Sequence, residues 1–390
     1  MASGRVVIIG GGAIGLASAA ALAQAGAEVV VLERFEHVHE LGSHSGYTRV
    51  TRQAYHEGSV YVPLVQESEA VWESLEREGG GAGSILVRCG IVEAGPPEDA
   101  NLQAVFAACR ANDLEHRRLD AAALVDELGF RVPSTWIACE TASGGYVRVP
   151  AALDALRRRA EAAGAVFRYD AQVNELVRSG GRLRVLLESG ALIPCEHVVV
   201  AAGAYLQALL PSRLRALFAV RRRILAWSEP SDAAARERMR RLPVWALFDP
   251  RGMFYGFPYG EEGIAGLKVA LHVYTSPSDP PGLRAETVDR EVAAHELAPL
   301  AEFLAERLPA AQGPWAAAKV CLYNCTPSGD FVVDRHPDDP KVIVAGGFSG
   351  HGFKFAPAIG RIVRGLVEGA AASDVPEIFR WSRHLAGPGW

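Results

Sequence analysis

The first ordered pattern along the chain is a run of consecutive branched apolar residues, Val6–Ile9, followed by GGGAIG and then Leu16, Ala19, Ala20 and Leu22 at helical spacing. This predicts a buried strand, a tight turn and a helix, with Gly26 ending the helix and Val29–Leu32 forming a second strand. Apolar Leu64, Ala70, Val71 and Leu75 mark an amphipathic helix over Tyr61–Glu78. From about Ala82 the pattern changes to short β-rich runs, Ser84–Val87 and Gly90–Glu93, with helical stretches near Asn101–Asn112 and Ala121–Leu128. A turn at Gly145–Val149, a helix over Ala151–Ala163 and strands at Ala165–Tyr169, Gln172–Arg178, Arg182–Leu187 and His197–Ala202 follow. A second β-rich region opens at Arg221–Arg223 and continues through Met253–Tyr259 and Gly263–Val273, before a helical stretch over Ala285–Arg307. The C-terminal quarter again reads strand, Gly-rich turn and helix, the helix running from about Ala356 to Gly369.

The opening stretch carries chemistry as well as structure. Gly10, Gly12 and Gly15 form a G-x-G-x-x-G turn between strand and helix, and Glu33 stands at the tip of the second strand. Such glycines permit the turn, let backbone approach a pyrophosphate, and let helix and strand pack closely, while the helix start faces the phosphates with unpaired N–H groups. Glu33 suits a ribose hydroxyl pair and repels a 2′-phosphate. A cleaved leader would also show Arg5, an apolar run and small residues near Ala25, but it has no use for the second strand or for Glu33.

Composition narrows the picture. The chain has 390 residues, 49% of them hydrophobic, which suits two domains or one large α/β domain with insertions, and its net charge of −5 argues against a nucleic-acid or membrane-surface partner. No apolar run suggests a membrane span, and the six cysteines (Cys89, Cys109, Cys139, Cys195, Cys321, Cys325) lack zinc spacing, so reduced thiols in the cytoplasm are expected. Of 40 basic residues only Lys268, Lys319, Lys341 and Lys354 are lysine, which singles them out as positions where a compact, tunable ammonium has been kept. Along Gly263–Val273, alternation places Ala265, Leu267, Val269, Leu271 and Val273 on one face and Lys268, Ala270 and His272 on the other, a half-exposed strand on pattern alone. The loop from His39 to Gly58, with Arg49, Arg52 and Tyr55, reads either as crevice lining or as a solvated turn. Arg221–Arg223 reads as a solvated strand edge.

Four segments together, G-x-G-x-x-G at Gly10, GSHSGYTRVTR at 42–52, KVCLY at 319–323 and GFSGHGFKF at 347–355, resemble the FAD-dependent amine oxidases of the D-amino-acid-oxidase-like superfamily. Monomeric sarcosine oxidase, N-methyltryptophan oxidase and pipecolate oxidase are its relevant members, and the resemblance covers essentially the whole chain. It implies an α/β fold: a Rossmann-type FAD-binding domain over 1–82, 146–220 and 320–390, and a substrate domain of mainly antiparallel sheet plus helices over 83–145 and 221–319. It implies covalent FAD through Cys321, with Cys325 close enough to be a rival. Cofactor contacts are implied at Gly10, Gly12, Ala13, Ile14, Gly15, Glu33, Arg34, Ser43, His44, Arg49, Val173, Ala202 and Gly203, and in the last motif at Gly347, Ser349, Gly350, His351, Gly352, Phe353 and Lys354. Arg52 and Lys354 fall where a substrate carboxylate is gripped, although Arg52 could instead pair with an acidic neighbour and Lys354 cap a carbonyl. Lys268 falls where a lysine serves reaction with oxygen, His272 and Tyr255 line the substrate pocket, and Arg49 lies beside the flavin ring. Ser45, where sarcosine oxidases carry a histidine, and the bulky Tyr47 depart from the pattern and leave the amine open. The implied activity is oxidation of the C–N bond of a secondary, N-methyl or cyclic, amino acid to an imine by a monomer, with O2 reduced to H2O2. The alternatives are a dehydrogenase of the same fold and an FAD-holding pseudoenzyme that acts as a binding protein.

Overall fold

In the computed structural model, which describes residues 4–385 except 80, 82, 231, 261–262, 274–278 and 280–281, the strand Arg5–Ile9 lies between Glu28–Leu32 and His197–Val200, parallel to both. The sheet extends to Val166–Arg168 on one side and through Asp339–Gly346 to Val332–His336 on the other; only the last pairing is antiparallel. Parallel strands buried on both faces need continuous apolar sequence, which is why Val6–Ile9 and Val29–Leu32 lack polar alternation. One face packs Val6, Ile8, Val31 and Val199 against Ile359 and Ile362 of the helix Ala356–Val367. The other packs Val7, Val30, Val198 and Val200 against Leu183 and Val185 of a three-stranded sheet. The helices Ala13–Gln24 and Ala356–Val367 cross so closely that a Cβ on Gly360 would lie 2.6 Å from the backbone of Ala17. The fold is α/β.

An eight-stranded sheet holds the remaining chemistry. Its order is Trp315–Cys325, Ala219–Ser228, Leu267–His272, Gly252–Tyr259, Val244–Asp249, Ile91–Gly95, Ile137–Thr141 and Arg117–Asp120. All neighbours are antiparallel except Val244–Asp249 with Ile91–Gly95. The helix Ala298–Arg307 covers one face, where Phe303 stacks on Phe254 at 4.1 Å between ring centres. The division expected at 319/320 falls inside the Trp315–Cys325 strand, which belongs to this sheet along its whole length.

Several local expectations are corrected. Gly145–Arg148 is not a turn but the central strand of a small sheet, flanked by Thr48–Thr51 and Leu86–Val87, with Pro150 in the first turn of the helix that follows. The helix expected over Ala285–Arg307 starts only at Ala298, because Pro299 fits the first turn and no later one, after a short 3-10 segment at Ala294–Leu297. The strand expected from Gly263 starts at Leu267. Arg221–Arg223 is not left to solvent: the three pair with Cys321–Tyr323 on one side, and Arg223 is buried with two bonds to Asp279, at 2.6 and 3.0 Å. Arg222 is held by Glu296. The Lys268 face of Leu267–His272 is likewise covered, and Lys268 is 1% exposed. Among the described residues no helix is long and apolar enough to cross a membrane.

Candidate active site

The glycine turn opens onto a cavity of about 330 Å³. Gly10 adopts φ +107°, and a Cβ on Gly15 would lie 1.8 Å from the Gly10 carbonyl oxygen. Gly15 therefore lines no cavity; it acts by letting the helix seat against the turn. Gly12, Ala13 and Ile14 do line it, and the helix start has no side-chain cap, so first-turn N–H groups keep no side-chain acceptor. Glu33 accepts the Gly11 N–H at 2.6 Å and the Phe35 N–H at 2.9 Å, with His39 Nε2 at 3.4 Å. Burial pushes its carboxyl pKa up, but His39 and the two amides outweigh this and hold it below the ordinary range. The Arg34 guanidinium rests over the Tyr205 and Phe35 rings.

Ser43, His44, Val173, Ala202 and Gly203 line the middle of this cavity. His44 hydrogen-bonds the His39 carbonyl at 2.8 Å, and burial, with His39 and Arg49 nearby, pushes it down to about 3, so it is a neutral donor. Ser43 Oγ and Asn324 Nδ2 are buried without a hydrogen-bond partner, while Asn324 Oδ1 accepts the Gly347 N–H at 2.8 Å. Gly347 closes its turn and lines nothing; Ser349, Gly350, Gly352 and Phe353 do. At Gly350 (φ +83°) a Cβ would meet the Tyr323 ring at 2.3 Å. Unpartnered buried polar atoms, an uncapped helix turn and a side-chain-free cradle fit a dinucleotide.

The two candidate cysteines separate here. Cys321 lines the cavity, with its sulfur 3.6 Å from the Arg49 guanidinium and 3.7 Å from the Ser43 carbonyl. Cys325 lies two strand repeats further on, outside the cavity, and burial pushes its thiol up to about 11.

A smaller cavity of about 70 Å³ joins the first where Arg49, Tyr255, Tyr323, Gly350 and Phe353 line both. Arg49 is fixed by the Ser43, Ser45 and Thr48 carbonyls, at 2.9, 2.5 and 2.8 Å. Tyr255 is pushed up to about 12 by burial and stays a neutral phenol. His272 Nδ1 lies 3.0 Å from the Tyr323 hydroxyl, and burial pushes the imidazole down to about 3. His351 bonds Tyr55 at 2.6 Å and the Gly329 carbonyl at 3.1 Å; it lines this cavity, not the larger one.

Arg52 and Lys354 both reach the small cavity, but Arg52 already holds two carboxylates. It donates to both Glu57 oxygens at 2.9 and 2.8 Å and to Glu93 at 2.9 Å; burial alone would lower its pKa, and these two anions raise it instead. Lys354 Nζ donates to the His351 carbonyl at 3.0 Å and to Tyr55 at 3.4 Å. Burial, reinforced by Arg52, pushes it down to about 7. The acidic-neighbour and carbonyl-capping alternatives thus describe these contacts. Lys268 lines neither cavity: its ammonium is held by the Gly46 carbonyl at 2.6 Å and by the Thr48 carbonyl and hydroxyl, each at 3.0 Å. Ser45 is buried on the Val320 carbonyl, and Tyr47 (φ +66°) bonds Glu40 at 2.7 Å beside Lys319.

Sequence reasoning missed Tyr323, Glu57 and Glu93. Tyr323 was findable, since strand alternation puts it on the face of Cys321. Glu93 was not: it lies 41 residues from Arg52 and meets it only through the fold.

A family model described as FAD dependent oxidoreductase matches residues 5–366. The chain is 32% identical over 388 residues to the monomeric sarcosine oxidase of Streptomyces avermitilis, covering 98% of each chain. It is 30% identical over 385 residues to the N-methyl-L-tryptophan oxidase of Salmonella newport, covering 97% of this chain and 98% of that one. Among solved structures, NikD, an unusual amino acid oxidase essential for nikkomycin biosynthesis, matches with a TM-score of 0.81 at 23% identity over 96% of each chain, a likeness of fold.

Proposed function

The chain belongs to the FAD-dependent oxidoreductase family, and we propose that it oxidises the C–N bond of a secondary amino acid, N-methyl or cyclic, to an imine, with O2 taking the electrons to give H2O2. The observation that carries this reading is the junction of the two cavities at Arg49, Tyr255, Tyr323, Gly350 and Phe353, where a cofactor-sized space meets a small cationic one. FAD, when bound, supplies the acceptor for a hydride. The glycine turn, Glu33, Ser43 and the Ser349–Phe353 loop would hold it, and Cys321 would bind it covalently. Arg49 at the junction, with the Lys268 ammonium behind it on the shared Thr48 carbonyl, would complement negative charge on a bound flavin. Lys354, which has no carboxylate partner among the described residues, would take a substrate carboxylate, since Arg52 is matched by Glu57 and Glu93. The neutral imidazole of His272 and the neutral phenol of Tyr255 can orient the amine without charging it. The carbon next to an uncharged amine nitrogen then loses hydride, the nitrogen loses a proton, and water hydrolyses the imine. Like the relatives called monomeric, the protein is taken as a monomer, of the cytoplasm.

The test is anaerobic bleaching of the flavin by sarcosine, proline, pipecolate and N-methyl aromatic amino acids. Bleaching by at least one, and peroxide formed on readmitting air, is the expected result. Bleaching without peroxide would leave a dehydrogenase, and no bleaching by any of them would remove the reading.

A further inference from the structure

The small cavity has room for an amine, its α-carbon and a carboxylate, and little beyond, because Trp245, Tyr255, Phe257 and Phe353 wall it. Glu57, Met253, His272 and His351 line both this cavity and an outer basin of about 370 Å³. Past that aperture the basin is mainly polar, with His56, Asn101, Ser328 and Asp330, and Met253 as the one apolar side chain among the described lining residues. Its described lining holds two carboxylates, Glu57 and Asp330, and no lysine or arginine. Glu57 shares Arg52 with Glu93 and lies 3.5 Å from His56, whereas Asp330 accepts the neutral Tyr61 hydroxyl, at 2.9 Å, and forms no ion pair among the described residues. The rim does not offset it, since burial pushes His272 down to about 3 and His351 to about 4, leaving both uncharged. A recess lined by one sign of charge concentrates ligands of the other.

Building on the proposed C–N oxidation, we infer that the substrate is a secondary amino acid whose side chain carries an ammonium or guanidinium group, passing between His272 and His351 to end beside Asp330. An aromatic side chain would meet only Met253 as an apolar partner among the described lining residues. The reacting centre stays in the small cavity, so the outer group sets selectivity and not chemistry. Asp330 is a specificity residue in this scheme and touches no reacting atom.

The test compares racemic Nα-methyl-lysine, Nα-methyl-norleucine and Nα-methyl-tryptophan on the FAD-loaded enzyme, with sarcosine as reference. kcat/KM should favour the lysine compound over norleucine, which has the same four-carbon stem without the ammonium, by up to about fivefold, the scale of one solvent-accessible charge pair, and salt should erode the preference. Asp330→Asn keeps an acceptor for Tyr61 and should bring the ratio close to one. Equal turnover of the lysine and norleucine compounds, or a preference that survives in Asp330→Asn, would overturn the inference. If sarcosine and norleucine derivatives bleach the flavin without charge preference, only this inference falls. If no amine in the set bleaches it, the C–N oxidation reading falls and this one with it.

Discussion

At the scale of single residues, the small cavity sets two cations against each other. Arg52 is neutralised by buried carboxylates, whereas Lys354 bonds a carbonyl and a hydroxyl and lies over the Tyr55 and Phe355 rings. Removing its charge from a carboxylate partner should cost about 2–5 kcal/mol of binding. Lys354→Met should therefore weaken an amino-acid substrate strongly and hardly affect the same amine without its carboxylate, as read by flavin bleaching. The pH dependence follows from the lowered pKa of about 7. Below it the ammonium is charged and holds a carboxylate; as pH rises through it the charge is lost and affinity falls. A spectral titration with propionate between pH 6 and 9 reads this, and a flat profile would assign the grip elsewhere. Cys321 carries the second residue-scale prediction. Acid-precipitated wild type and Cys325→Ser should stay yellow, while Cys321→Ser should release all its FAD to the supernatant. Retained colour in Cys321→Ser would move the bond. The resemblance made both positions legible, and an acidic neighbour for Arg52 was foreseeable from Glu57 five residues on; what was not legible was Glu93, since a partner 41 residues away leaves no local pattern.

At the scale of elements, the phosphate-facing helix depends on its neighbour. Gly360 sits where Ala356–Val367 crosses Ala17, and its missing Cβ is what permits the approach. Gly360→Ala gains about 1 kcal/mol of helix propensity but meets backbone at 2.6 Å, and overpacking costs about 1–3 kcal/mol. The net should be a lower urea midpoint. Gly365→Ala, on the same helix, meets only Ala370 Cβ at 3.5 Å and should be neutral or stabilising. Equal midpoints for the two would show that the crossing relaxes freely. The strand Leu267–His272 makes a second element-scale case. Alternation along it separated the Lys268 face from the apolar one, but not which segment would cover that face; the cover is the backbone at Gly46 and Thr48, from a loop over two hundred residues earlier. If Lys268 serves dioxygen reduction, Lys268→Met should slow reoxidation by about a hundredfold, the scale of one lost electrostatic donor, and slow amine oxidation much less. Unchanged stopped-flow reoxidation would leave Lys268 as a clamp on that loop. Gly145–Arg148 was misread for the same reason: both of its partner strands come from distant segments, and strand pairing is set by such contacts more than by local preference.

At the scale of the whole molecule, the cavity at the glycine turn is walled by both main sheets, through Gly10 and Glu33 on one side and Tyr255, Cys321 and Tyr323 on the other. A ligand there ties the two together, so FAD should add stability by mass action, about 2.7 kcal/mol at a hundred times its Kd. In Cys321→Ser, where FAD can be stripped and restored, Tm should rise with FAD concentration; a Tm indifferent to FAD would mean the sheets are held together without it. The Rossmann half was readable because buried parallel strands and their glycine turn impose residue types at each position. The antiparallel half was readable only as a run of strands, because its order depends on pairings such as Ala219–Ser228 with Trp315–Cys325, nearly a hundred residues apart.

The scarcity of lysine has a practical side. Lys268 and Lys354 are buried, and Lys319 is tied to Glu40 and Tyr47. Lys341 remains, 41% exposed at its side chain and paired with Glu196. Both residues lie where parallel strands begin, whereas the glycine turn leaves the opposite ends. An amine-reactive surface or dye would therefore couple to the side chain of Lys341 ahead of the other lysines, and would display the protein with the cavity at its glycine turn facing away from the attachment.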